Sequence, residues 1–179
     1  SADVEATNVN ITTTSGNTVD YNKYGFYVNS GKLTLNNCAV DNTAATYYDG
    51  YWGNFRAYAV WVNTSASGEI NGGTYTADGI TINNYGTMEV NDAKIESISK
   101  NGNMTNNYTT IFKENGTLTL NNVNATGYYD GVENGSSGIV NINDSNIIVS
   151  ANRGIHNNEK GTVNLVNSTV EGAKGIENV

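Results

Sequence analysis

Two glutamates are the first side chains in this sequence whose spacing could support chemistry. Glu69 and Glu89 hold the same position in consecutive copies of a repeated motif, so stacked copies would place their carboxylates side by side. A carboxylate pair is what glycoside hydrolysis uses. Glutamates on a solvated surface are also common, and the sequence shows no basic partner near this pair. We therefore expect no enzyme, and keep a polysaccharide lyase or glycosidase as the alternative.

The remaining titratable residues favour no other reactive site. His156, the sole histidine, is expected to be outward and exposed. Zinc would need several His or Cys ligands, so we expect neither a metal site nor a cofactor. Asp49 and Asp130 lie in two copies of YYDG, where roles in turns are favoured over acid and base roles. Cys38 occupies a repeat position that is otherwise small or apolar, which predicts a buried thiol.

Aromatic residues concentrate in the segment 43–62. Trp, Tyr and Arg are enriched in binding hot spots, and Trp and Tyr also stack on sugar rings. A competing interpretation is that these rings pack on one another and hold a long loop against the domain. We predict a ligand-binding surface, with several rings packed, formed by Tyr24, Tyr27, Tyr47, Tyr48, Tyr51, Trp52, Phe55, Arg56, Tyr58 and Trp61.

A repeat that runs through the chain must position these residues. Clear copies lie at 31–40, 86–95, 116–125, 138–147 and 161–170, with degenerate copies at 2–11 and 66–75. Apolar and polar residues alternate in each copy, which predicts a strand with one buried face. A residue that tolerates left-handed φ follows, and we predict a bend there, at Asn8, Asn37, Gly72, Asp92, Asn122, Asp144 and Asn167.

The spacing of these bends predicts a solenoid. Subtracting neighbouring positions leaves 29, 35, 20, 30, 22 and 23 residues. A single coil cannot bury its own apolar face, so coils must stack in parallel. The predicted inward columns begin Val4–Leu33–Gly68, Ala6–Leu35–Ile70, Ile11–Val40–Tyr75 and Phe26–Val60–Ile80. The outward column of the second element is predicted as Tyr27, Trp61, Thr81, Phe112, Glu133, His156 and Glu177.

Three of the spacings are long, which predicts loop insertions at 12–23, 41–57 and 96–109. Each falls between the strand after the bend and the second element, so all three should emerge from one edge of the solenoid. Insertions on one face of a solenoid commonly form its binding surface. We interpret the whole chain, 1–179, as a single β-helix domain and a fragment of a larger surface protein.

Composition limits the partners. The net charge of −8 and only nine basic residues disfavour nucleic acid and anionic membranes. No apolar run approaches the length of a membrane span, so we expect no membrane insertion. The oligomeric state is expected to be monomeric.

The string GTLTLNNVNATG (116–127), followed by DGVENGSSGIVNINDSNI (130–147), resembles the repeats of bacterial autotransporter passengers and pertactin-like adhesins. The resemblance spans essentially the whole chain. It implies an all-β, right-handed parallel β-helix at the bacterial surface or outside the cell, and the seven copies of the repeat predict about seven coils. Because this scaffold carries many functions, three hypotheses stay open. They are an adhesin that binds a host protein (immunoglobulin capture being one version) or a glycan, a carbohydrate-active enzyme, and a structural spacer.

Overall fold

Strands supply all the regular secondary structure in the part of the chain that the structure describes. The structure is a computed structural model and describes residues 2–13, 22–43, 56–99, 109–113, 115–158 and 160–179. Its strands are β1 (Val4–Thr7), β2 (Asn10–Thr12), β3 (Asn22–Asn42), β4 (Arg56–Ala77), β5 (Ile82–Asn84), β6 (Thr87–Asn91), β7 (Lys94–Ser97), β8 (Thr109–Lys113), β9 (Thr117–Asn121), β10 (Asn124–Gly127), β11 (Asp130–Asn134), β12 (Ile139–Asn143), β13 (Asn146–Val149), β14 (Arg153–Asn157), β15 (Thr162–Val166), β16 (Thr169–Glu171) and β17 (Lys174–Asn178).

These strands form one curled parallel sheet, as a β-solenoid requires. Segments pair with the equivalent segment in the neighbouring repeat; β9, for example, lies between β6 and β12. Within the described residues no helix occurs, and so none has the length and apolarity needed to cross a membrane. The all-β, parallel architecture predicted from the repeat is therefore confirmed.

All the predicted bends adopt left-handed backbone angles. Asn8, Asn37, Asp92, Asn122, Asp144 and Asn167 have φ between 48° and 57°, and Gly72 has φ 75°. Among the described residues, these six are the only non-glycine residues with positive φ. Asn and Asp tolerate this conformation better than other side chains, which explains their recurrence at this position.

Three of the four predicted inward columns match the observed register. The first runs, partner to partner, through Val4, Leu33, Gly68, Met88, Leu118, Val140 and Val163. The columns that begin at Ala6 and Ile11 agree in the same way. Their central members, including Leu35, Ile70, Val90, Leu120 and Ile142, are fully buried. Cys38 is also fully buried, as predicted.

The fourth column is wrong at one member. Ile82, and not Ile80, pairs with Val60 and Ile111, and the adjacent outward position is Asn83, not Thr81. Ile80 and Ile82 are both buried, because residues two apart face the same side of an extended chain. The apolar pattern therefore fits either register.

The residue immediately before the bend is an asparagine in five successive repeats, and the side chains of these asparagines form a hydrogen-bonded ladder. Each Nδ2 donates to the Oδ1 of the asparagine in the preceding repeat, at 3.0 Å (Asn71 to Asn36), 3.1 Å (Asn91 to Asn71), 2.8 Å (Asn121 to Asn91) and 2.9 Å (Asn143 to Asn121). At one end Asn36 Nδ2 donates to Glu5 Oε1 at 3.0 Å. The ladder satisfies polar groups that would otherwise lie partly buried between coils.

A second polar column lies inside the fold. Asn84, Lys113 and Asn134 occupy one register row and are fully buried. The Lys113 ammonium donates to the Gly86 carbonyl at 2.9 Å, and Asn134 Nδ2 donates to the Gly138 carbonyl and to Asn157 Oδ1, each at 2.9 Å. Two of these bonds fix the turns at Gly86 and Gly138, which follow β5 and β11.

The residues at which the three predicted insertions begin lie next to one another in the sheet. The flanking residues Asn42 and Ser97 both pair with Ala77, and Thr12 pairs with Asp41. The middle parts of the insertions, 14–21, 44–55 and 100–108, lie outside the described residues. Their described ends are therefore aligned along one side of the sheet.

Candidate functional site

Six aromatic side chains form a continuous line across neighbouring strands, which we call the aromatic row. Tyr24 and Tyr27 lie on β3 and pair with Tyr58 and Trp61 on β4, respectively. The row continues with Tyr85, which follows β5, and with Phe112 on β8.

Ring contacts connect every member of the aromatic row. Tyr24 stacks on Tyr58 with centroids 5.4 Å apart, and Tyr58 meets Trp61 edge-on at 4.7 Å. Trp61 stacks on Tyr85 at 5.3 Å, and Tyr85 lies 5.9 Å from Phe112. These separations fall within the range in which aromatic pairs attract one another.

Exposure differs along the row. Tyr58 is buried, while Tyr24, Trp61, Tyr85 and Phe112 are half-buried. Tyr27 is 51% exposed, and its ring lies 6.3 Å from that of Trp61. Part of the row therefore belongs to the packing, and Tyr27 offers a ring that a ligand can reach.

Of the ten residues predicted to bind a ligand, the structure brings together Tyr24, Tyr27, Tyr58 and Trp61. The others lie in the middle insertion. Arg56 begins β4, but its side chain is outside what the structure describes, as are Tyr47, Tyr48, Tyr51, Trp52 and Phe55. Tyr85 and Phe112 join the row without having been selected as site residues.

Asn42 supports the row from inside the fold. This fully buried side chain donates from Nδ2 to the carbonyls of Lys23 and Tyr58, each at 2.8 Å. It thereby ties the starts of two strands, next to Tyr24 and at Tyr58, to the point where the middle insertion leaves. Asn42 is a positioning residue that the repeat pattern did not single out.

The glutamate pair has a basic partner, which corrects the expectation of none. Glu69 and Glu89 are paired across β4 and β6, and the Lys32 ammonium lies 2.5 Å from Glu69 Oε2. Hydrogen bonding to Lys32 lowers the pKa of Glu69, and the same bond raises the pKa of Lys32. Because both groups are substantially exposed, this ion pair contributes little to stability.

A second polar site lies in the outward column of the second element, directly after Phe112. We call it the His156 cluster: Asp130, Glu133, Arg153, His156 and Glu177. Arg153 donates from Nη2 to Asp130 Oδ2 at 2.6 Å and from Nε to Asp130 Oδ1 at 3.0 Å. Its Nη1 also donates to Glu177 Oε2 at 3.0 Å. Glu133 and His156 pair in register, with 3.9 Å between Oε1 and Nδ1.

Burial and these contacts set the charges in the cluster. Burial, followed by the positive charge of Arg153, lowers the pKa of His156 below its ordinary value, so the imidazole is neutral at neutral pH. Hydrogen bonds from Lys174 and then Arg153 lower the pKa of Glu177. The hydrogen bond to Asp130 raises the pKa of Arg153, which keeps the guanidinium charged.

No family model, curated protein or solved structure matches this chain. Its site must therefore be interpreted from its own geometry.

Two expectations from the sequence are wrong at the His156 cluster. The His156 side chain is 12% exposed, although an exposed side chain was expected. Asp130 is the first residue of β11, is buried and holds Arg153, although a role in a turn was expected. Aligning DGVENG, RGIHNN and KGIENV reveals the missed signal, because acids, bases and the histidine share two columns.

Proposed function

We propose that the chain is a right-handed parallel β-helix of about seven coils that serves as a non-catalytic binding module of a bacterial surface protein. In this proposal it acts outside the cell or at the cell surface, as the resemblance to autotransporter passengers and pertactin-like adhesins implies. Its ligand is an extended glycan that lies along the aromatic row. No cofactor, nucleic acid or membrane insertion takes part, and the module works as a monomer.

The observation that carries this proposal is the exposed ring of Tyr27 at the edge of a packed line of rings. A ring whose neighbours hold it in place loses little entropy on binding, so its contact area adds efficiently to affinity. Rings that follow one line suit a polymer whose successive units can each stack. The insertion rings, among them Tyr51 and Trp52, belong to the same proposed surface.

The test is a glycan array screened with the intact chain, followed by titration of each hit. Replacing Tyr27 by alanine should weaken binding by roughly 30-fold, the loss typical of a hot-spot ring. Tyr128→Ala is the matched control, because Tyr128 is 36% exposed and lies outside the aromatic row. Its affinity should equal that of the parent chain. Thermal unfolding curves establish that both variants are folded.

Other results would replace this proposal. Unchanged glycan affinity in Tyr27→Ala and in the combined variant Tyr51→Ala, Trp52→Ala, Arg56→Ala would remove the site from this edge. Binding to purified host proteins, immunoglobulin included, without any glycan hit would reassign the ligand. No binding in either assay would favour a structural spacer.

One observation favours a second candidate function, a carbohydrate-active enzyme. Glu69 and Glu89 are register partners and the Lys32 ammonium contacts Glu69, so paired carboxylates and a cationic side chain lie on one face. Incubation with polysaccharides, with detection of new reducing ends or unsaturated products, tests this function. Activity that disappears in Glu69→Gln would overturn the non-catalytic proposal.

A further inference from the structure

The His156 cluster combines three side chains that can bind a metal ion. Asp130 and Glu133 are contributed by β11 and His156 by β14. One potential ligand atom from each residue lies within 4.8 Å of the other two. Among the described residues this is the group that brings a histidine together with carboxylates.

The imidazole carries an unused ligand atom. His156 Nδ1 is buried from solvent and has no hydrogen-bond partner among the described residues. A buried polar atom without a partner costs free energy, and a bound ion is one of the few things that would satisfy it. The surrounding described residues therefore leave the hydrogen-bonding capacity of this nitrogen unused.

The distances suit an ion placed between the three residues. His156 Nδ1 and Glu133 Oε1 are 3.9 Å apart, which is too long for a hydrogen bond. Two ligand atoms each about 2.1 Å from a tetrahedral zinc ion lie roughly 3.4 Å apart. A small side-chain movement would therefore bring both atoms into coordination distance of one ion.

Arg153 is positioned to orient one of the three possible metal ligands, Asp130. It holds both oxygens of Asp130, with a further hydrogen bond from its backbone N–H at 3.1 Å, and so fixes the orientation of that carboxylate. Carboxylates that bind metals are commonly hydrogen-bonded in this way. The acids of the cluster, Asp130, Glu133 and Glu177, outnumber the bases Arg153 and Lys174, which favours a cation.

We propose that Asp130, Glu133 and His156 form a binding site for Zn²⁺ or a similar divalent transition metal. A nitrogen ligand with two carboxylates suits these ions better than Ca²⁺ or Mg²⁺, which prefer oxygen ligands throughout. Three protein ligands leave further coordination positions for water. The site adjoins the end of the aromatic row, since Glu133 pairs with Phe112, but it does not depend on the proposed glycan function. It also reverses the expectation that a lone histidine excludes a metal site.

The composition makes this site simple to test. The chain has one histidine and one cysteine, and Cys38 is fully buried in the core. Metal binding that requires an imidazole can therefore arise only at His156. The experiment uses the full chain without an affinity tag, after treatment with a chelator.

Calorimetric titration with Zn²⁺ and Co²⁺ should show one ion bound per chain, with Co²⁺ producing a visible absorption spectrum. His156→Gln and Glu133→Gln should each weaken binding by at least roughly 100-fold. Glu171→Gln is the control, because Glu171 is an exposed acid on β16 outside the cluster. Tyr27→Ala should bind the metal normally, which separates this site from the proposed glycan surface.

A second measurement does not depend on the folding of variants. Nitrogen–proton correlation spectra of the single imidazole should show a large shift of the Nδ1 resonance when Zn²⁺ is added. An unchanged imidazole, binding that survives in His156→Gln, or binding of Ca²⁺ but not Zn²⁺ would overturn the proposal. The cluster would then be only an ion-pair network.

Discussion

Tyr75 is the largest of the side chains that the described core encloses completely. Its hydroxyl lies 3.4 Å from the Gly72 carbonyl, and burial raises the pKa of the phenol well above its ordinary value of 10. The folded state therefore favours the neutral form. Stability from this residue is fully present below about pH 10 and is lost as the pH rises above that value, since the unfolded chain then releases the proton more readily.

We expect Tyr75→Phe to flatten the alkaline limb of the stability curve. The parent chain should lose up to about 1.4 kcal/mol per pH unit above about pH 10 through this residue, and the phenylalanine variant should not. Urea unfolding across that pH range measures the difference. Tyr27→Phe, at an exposed position, is the control and should keep the parent slope. Equal slopes in all three proteins would contradict this account.

At the scale of single residues, the sequence predicts a position correctly when the backbone conformation there allows only a few residue types. The bends at Asn37 and Asp92 were located because few residues tolerate positive φ. The predicted outward column already places Glu133 beside His156, and the structure agrees. The burial of His156 was not predicted, because it also depends on Asp130 and Arg153, which belong to a different column. A side chain's charge and exposure depend on such neighbours more than on its own identity.

Between elements, the strand register follows from the alternation of apolar residues. A shift of one residue would turn every apolar side chain outward, so the inward face of β6, β9 and β12 is strongly specified. A shift of two residues preserves the face. That is why the column through Val60 and Ile111 was assigned Ile80 in place of Ile82.

The bend between β9 and β10 provides a test at this scale. Asn122 has φ 52°, and its Nδ2 donates to Asp92 Oδ1 at 2.7 Å. Alanine and glycine both remove that hydrogen bond, but only alanine suffers from the left-handed backbone. We expect Asn122→Ala to be less stable than Asn122→Gly by about 1 kcal/mol in urea unfolding. Equal stability of the two variants would mean that the bend relaxes without cost.

Across the whole molecule, stability should depend on distance from the ends of the stack. Each repeat contacts mainly its neighbours, so a central repeat has twice as many stacking partners as a terminal one. The exposed fractions follow this rule: Val4 and Ile176 are each 52% exposed, whereas Ile70 and Leu120 are fully buried.

Hydrogen exchange should therefore be graded along the stack. We expect the amides of β6 and β9 to be protected most strongly, and those of β1 and β17 to exchange fastest, because terminal segments can separate without disturbing the centre. Mass-spectrometric or NMR exchange measurements of the intact chain would detect this gradient. Uniform protection from β1 to β17 would indicate a single cooperative unit instead.

The overall architecture was predictable because one motif recurs and each copy needs its neighbours. The edge that carries the aromatic row was less predictable. Alternation of apolar residues carries no information about segments such as 44–55, and the ring contacts of Tyr85 and Phe112 arise only from stacking. The repeated pattern thus predicts the scaffold. The contacts of residues outside that pattern depend on which side chains the strand register brings next to them.

The asparagine ladder has an electrical consequence for the whole stack. All its amides point the same way, with each amino group directed toward the preceding repeat, so their dipoles add along the stacking axis. The positive end meets the carboxylate of Glu5, much as an acidic residue caps the amino end of a helix. At the other end the ladder stops at Asn143, whose register partner is Val166. The stack therefore has an electric dipole along its axis as well as a chain direction. Its negative end lies beside Asn143, where cations are favoured.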